Sequence, residues 1–247
     1  MQALLFGLTA LFAGFLKNGF GIGAGAFLTP ILSLFFEPAY TIPFMTVILL
    51  ITDIIGVKNC WMEWESQNLL SLIFSGVIGT VVGIILLIYL PVHNFKKVMG
   101  LIALIYGLWI LYTKSKFYRQ KKDNGGISQV LGFQTILWGS AAGVIGAMAN
   151  AGGIVLNIYL SRLQYDRRTY IGTLMIFLCV MDGIKFIAFT ALGLLDVQIW
   201  LNIWWTIILV FAGGFLGNKI NQFISQNKFE LCVSILLCLS GTALMFT

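Results

Sequence analysis

The stretch Gly19-Phe-Gly-Ile-Gly-Ala-Gly-Ala-Phe-Leu-Thr-Pro30 sits inside a hydrophobic run and carries four glycines in seven residues, followed by a proline. Glycine weakens a helix, and proline removes a backbone donor. In hydrocarbon, a broken backbone is tolerated only where it is buried in protein or lines a wet cavity. A membrane setting is demanded by the rest of the chain. Of 247 residues, 59% are hydrophobic and 10% charged, against about 25% charged in soluble domains, and mean hydropathy is +0.95. The reading is an all-α polytopic membrane protein, multi-pass in the inner (cytoplasmic) membrane, with a cavity at membrane depth. The opening run, Met1 to Phe20, has no charged leader region and no small-residue cleavage site, so it reads as a first helix.

The net charge of +6 lies in loops and reflects the topology bias of Lys and Arg, not nucleic-acid binding. Cys60, Cys179, Cys232 and Cys238 form no CxxC pair, and His93 stands alone. Neither a metal site nor a cofactor is expected. GxGxG without a flanking strand or a GxxxxGK[ST] motif is not a nucleotide loop. No catalytic cluster is in view, so the chain is not read as an enzyme.

Hydrophobic segments run over 2–17, 25–36, 41–58, 67–90, 95–113, 128–148, 152–162, 169–194, 197–218 and 229–247. The main polar interruption, Thr113 to Gly126, holds five basic residues and one acidic one. The sequences on either side of it align in order. The stretch from Gly21 aligns with that from Asn150, and Asp53 with Asp182. Gly79–Gly83 aligns with Gly213–Gly217, and Phe95 with Phe229. Four ordered matches imply two repeated halves, 1–113 and 128–247, joined by a basic cytoplasmic linker, 114–127. Each half is expected to be a short broken or re-entrant hairpin plus about three crossing helices. A 12-residue segment rises only about 18 Å, short of a ~30 Å core. Placing Lys114–Lys122, Arg162, Arg167, Arg168, Lys219 and Lys228 on the cytoplasmic side gives an odd number of crossings per half, hence inverted topology. Lys96 and Lys97 then face outside. Glycine-interrupted segments at matching places in inverted halves mark a transporter's substrate site.

A glycine turn feeding a helix offers N–H groups and a positive dipole end, which suits an anion. The expected backbone donors are Gly21, Gly23, Gly25, Gly152 and Gly153. Asn18, Thr29, Asn150 and Asn157 can add side-chain hydrogen bonds, or tie helices together. Lys185, with Asp182 one turn before it, is a countercharge for an anion or half of a structural ion pair. Asp53 can pair with Lys17 or Lys58, and Asp53 and Asp182 serve either coupling or structure. Gly79, Gly83, Gly213 and Gly217 in long helices read as packing contacts.

Two segments, "GFLKNGFGIGAGAFLTPILSLF" and "AAGVIGAMANAGGIVLNIYLSRL", resemble the TauE/SafE family of sulfite-exporter-like permeases. That family carries a glycine-rich stretch ending in proline early in each of two halves. The resemblance spans the whole chain. The second motif departs from the pattern, with "NAGG" for the glycine run and Asn157 for the proline. The resemblance implies transport of small sulfur-containing anions, sulfite or sulfonates such as sulfoacetate. The expectation is a secondary transporter of a small anion working by alternating access, with a passive anion channel as the alternative. Its expected partners are the anionic substrate, a coupled proton or sodium ion, the lipid bilayer and a second copy of the chain.

Overall fold

A computed structural model describes residues 2–20, 23–66, 68–114, 132–163, 165–220 and 226–246. Among these, all regular structure is helical. The first five helices are α1 (Gln2–Phe20), α2 (Ala24–Ser33), α3 (Pro38–Asn59), α4 (Leu69–Tyr89) and α5 (Val92–Lys114). After the linker come α6 (Gly132–Ala149), α7 (Gly152–Leu160), α8 (Arg167–Ala191), α9 (Val197–Ile220) and α10 (Gln226–Phe246). Both sets therefore run long, short, long, long, long. Four spans, Pro38–Asn59, Leu69–Tyr89, Val92–Tyr112 and Arg168–Ala191, are long and apolar enough to cross a membrane. With 10 and 9 residues, α2 and α7 reach only about 15 Å.

One boundary differs from the hydropathy pattern. The apolar run stops at Lys17, yet α1 continues to Phe20, so the first helix has 19 residues and only α2 is short. The helix tolerates the lysine because Asp53 on α3 pairs with it, removing the cost of an isolated buried charge.

The tightest packing joins helices from opposite sides of the linker: α1 with α9, α4 with α6, α5 with α10, and α3 with α8. Glycines allow these close approaches. A Cβ on Gly213 or Gly217 would collide with the α1 backbone at Leu11 or Phe15. One on Gly79 or Gly83 would collide with α6 at Ser140 or Val144, and one on Gly100 would strike Gly241. In a bilayer, where apolar side chains gain little by leaving lipid, such small-residue contacts hold helices together. Gly79, Gly83, Gly213 and Gly217 are thus packing residues, as their position suggests.

Phe6 anchors the first helix, stacked on Phe36 with ring centroids 4.8 Å apart and tilted against Phe44 at 4.6 Å. Leu70, Phe74 and Ile78 form an exposed stripe on α4, and Phe211 and Phe215 one on α9. Such faces are at home in lipid. Outside the spans, Asp166 caps α8 by accepting from the N–H groups of Arg168 (3.0 Å) and Thr169 (3.3 Å). Hydrogen bonding from Thr169 holds its carboxyl below the usual range, as expected for an N-cap carboxylate.

Candidate functional site: two helix breaks and a buried charge cluster

The two breaks are built differently. Before α2, Gly23 is the N-cap residue, with φ −58° and ψ 85°, and no side chain caps the helix. Before α7, the chain leaves α6 through Asn150, whose φ is +53°. Asn150 N–H donates to Gly146 O (3.0 Å), and Ala151 N–H reaches Ile145 O (3.5 Å). This is the left-handed helix stop that Asn, after Gly, accepts most readily. The helical ladder starts with Ala26 N–H to Gly23 O in α2 and Ile154 N–H to Ala151 O in α7, both 3.1 Å. The N–H groups of Ala24, Gly25, Gly152 and Gly153 precede it and have no acceptor inside their own helix. All four residues line a single cavity.

Four charged groups face the same cavity: Lys17, Asp53, Asp182 and Lys185. Lys185 is 1% exposed, Asp53 0% and Asp182 5%. The Lys185 ammonium donates to Asp182 Oδ1 (2.6 Å), Asn150 Oδ1 (2.7 Å) and Gly146 O (3.1 Å). Its three donors are therefore all engaged. Lys17 has two acceptors among the described residues, Asp53 Oδ1 and, at 3.5 Å, Leu49 O. Asp53 Oδ2 is buried and has no hydrogen-bond partner among the described residues. The four formal charges cancel, leaving the two positive helix ends as the uncompensated field.

Asn150 is the hub. Its Oδ1 accepts from Lys185 and from Thr46 Oγ1 (3.1 Å), and its Nδ2 donates to Thr29 Oγ1 and Ile42 O, both at 3.3 Å. One amide thus ties α2, α3, α6 and α8 together with its hydrogen-bonding capacity filled.

Of the residues singled out from sequence, Gly23, Gly25, Asn150, Gly152, Gly153, Lys185, Asp53 and Asp182 all meet at the cavity. Thr29 is fully buried and joins only through Asn150. Asn157 points elsewhere, accepting a hydrogen bond from Tyr170 Oη on α8 (2.7 Å). Gly21 lies outside the described residues, as does the side chain of Asn18. Sequence reasoning considered Lys17 only as a partner for Asp53, and it missed the site's apolar wall of Leu49, Ala142, Phe177, Leu178 and Met181, together with Gly146. The usable signal for Gly146 was its place four residues before Asn150, where the carbonyl of a helix's last turn needs a partner.

The glycines at the first break have unequal roles. A Cβ on Gly25 would lie 2.5 Å from Asn150 O and 2.8 Å from Asn150 Cβ, whereas one on Gly23 would meet nothing closer than 3.8 Å. Gly25→Ala is expected to destabilise the protein by about 1–3 kcal/mol, the usual cost of overpacking. Gly23→Ala is expected to stay within ~0.5 kcal/mol of the parent. Melting temperatures of the two variants in detergent check this ordering. Equal shifts would contradict it.

Apolar helices enclose four charged side chains, two helix N-termini and a polar hub around one cavity, as in a multi-pass membrane protein. The chain belongs to the sulfite exporter TauE/SafE family, whose model matches residues 6–244. No match was found among curated proteins or among solved structures.

Proposed function

We propose that this chain is a secondary transporter that moves a small sulfur-containing anion, sulfite or a sulfonate such as sulfoacetate, by alternating access. The family is one of membrane transporters of sulfur anions such as sulfite. One observation carries the site assignment: the N-termini of α2 and α7, at corresponding places in the chain, open onto the same cavity beside Lys17 and Lys185. An oxyanion there exchanges its hydration shell for fixed N–H donors in a low-dielectric setting, where such bonds are strong.

The packing pattern supports an inverted repeat of residues 1–113 and 128–247. Exchanging each helix for its counterpart turns α1–α9 into α6–α4 and leaves α3–α8 and α5–α10 unchanged. This is the relation expected of two halves about a two-fold axis. The space open to water centres is about 30 Å³, room for two or three waters at ~10–15 Å³ each. Entry of an anion therefore requires the two helix breaks to separate.

The test is counterflow in proteoliposomes. Sulfite, thiosulfate, sulfoacetate, sulfate, acetate and a cationic control are compared. The expected result is saturable uptake of a labelled sulfur anion driven by the same anion inside. Flux that neither saturates nor shows counterflow would make the protein a channel. Absence of flux for every anion would overturn the assignment.

A further inference from the structure

The buried charges contain a feature that anion binding alone does not explain. Asp53 and Asp182 face one cavity of about 30 Å³. Yet Asp53 Oδ2 has no hydrogen-bond partner among the described residues. Two ionised carboxylates are acceptors only, so they cannot bond to each other. A single proton between them would supply the absent donor and relieve their repulsion. Burial adds to the demand, since Asp53 is fully shielded from solvent and a buried oxygen left without a donor is costly.

We infer that Asp53 is the proton-binding group that couples anion movement to a proton gradient, and that its protonation releases Lys17 to meet the anion. This inference rests on the transporter reading above. A proton from the aqueous side adds to a lone pair on Asp53 Oδ2, forming an O–H that donates to the Asp182 carboxylate. Asp53 loses its negative charge, and the Lys17 ammonium loses its ion-pair partner. Its other acceptor among the described residues is the distant Leu49 carbonyl, so it turns its N–H groups to the anion. Two lysines, two aspartates and one proton carry a net charge of +1, so the protonated site offsets one negative charge of the entering anion. Lys185 cannot play this part as readily, because three acceptors hold it.

The titratable and charged groups facing Asp53 are Lys17 from α1 and Cys179, Asp182 and Lys185 from α8. The helices α2 and α6 carry no titratable side chain, and among the described residues α5, α7 and α9 bring none to the cavity. Protonation is thus shared within the carboxylate pair and answered by Lys17.

The experiment compares wild type with Asp53→Asn in proteoliposomes, using thiosulfate and sulfite as probes under an imposed pH gradient and, separately, under a sodium gradient. Wild type is expected to show counterflow and to accumulate the probe against its gradient when a pH difference is imposed. In D53N the ratio of pH-driven accumulation to counterflow is expected to fall at least tenfold. Infrared difference spectra on anion addition should show a protonated-carboxyl band in wild type that is absent in D53N. Should D53N fail to fold, wild type alone decides. Proton uptake on adding thiosulfate to the purified protein in weak buffer supports the inference, and its absence overturns it. Accumulation driven by sodium but not by pH overturns it, as does an undiminished ratio in D53N. In those cases wild-type counterflow leaves the transporter reading intact. Absence of wild-type counterflow for every anion removes that reading, and this inference with it.

Discussion

Replacing Asn150 by Ala is expected to destabilise the protein on the order of 5 kcal/mol, well above the usual range for a single substitution. The side chain is buried and makes four hydrogen bonds, to Thr29 on α2, to Thr46 and Ile42 on α3 and to Lys185 on α8. Its loss strands the Thr46 hydroxyl and one donor of the Lys185 ammonium, each at a cost of ~1–3 kcal/mol when no water can reach them. Alanine also resists the left-handed conformation that Asn150 adopts, by about 1–2 kcal/mol. Asn150→Gly separates the two effects. It keeps the turn and loses the network, so it should melt above the alanine variant and still far below wild type. Melting of the three proteins in detergent provides the check, and an alanine variant as stable as wild type would mean that the hub contributes nothing. Counterflow should fall in both variants, because the amide fixes the positions of α2 and α7 relative to Lys185.

The helices were legible in the sequence because hydrocarbon imposes a simple rule on their composition. The segments 41–58 and 67–90 correspond to Pro38–Asn59 and Leu69–Tyr89, and the short ones, 25–36 and 152–162, correspond to α2 and α7. The breaks were legible because Gly and Asn are the residues that make them. Alignment paired Asp53 with Asp182, and the helices carrying them pack together, as residues near an axis between repeats would. What escaped was whatever depends on contacts distant in sequence. A charge ends a hydropathy segment, so Lys17 looked like the end of a helix. Only Asp53, 36 residues on, makes it an interior group. Asn157 aligned with Pro30 and seemed equivalent to the other polar residues near the breaks. Its position on a nine-residue helix turns it instead toward Tyr170. That Asn150 would be used up by protein partners could not be read from its type, since an amide binds substrate or scaffold with the same groups.

Lys185 is where stability and transport can be separated by experiment. Lys185→Met removes the ammonium from Asp182 and leaves a buried, uncompensated carboxylate, expected to cost about 3–5 kcal/mol. The pair itself need not be stabilising, because desolvating two charges offsets most of their attraction. The double variant Lys185→Met, Asp182→Leu is therefore expected to regain most of the lost stability, within ~1–2 kcal/mol of wild type. Asn150 would still lose one of its contacts. If the lysine were only scaffolding, the restored double variant should transport normally. If the ammonium supplies field to an anion held between the α2 and α7 ends, the double variant should fold and bind lipid as wild type does, yet show counterflow reduced at least a hundredfold. That fold-change corresponds to about 2.7 kcal/mol of lost interaction. Melting and counterflow measured on the same three preparations distinguish the cases. Wild-type counterflow by the double variant would assign Lys185 to structure alone and leave Lys17 as the cation that meets the substrate.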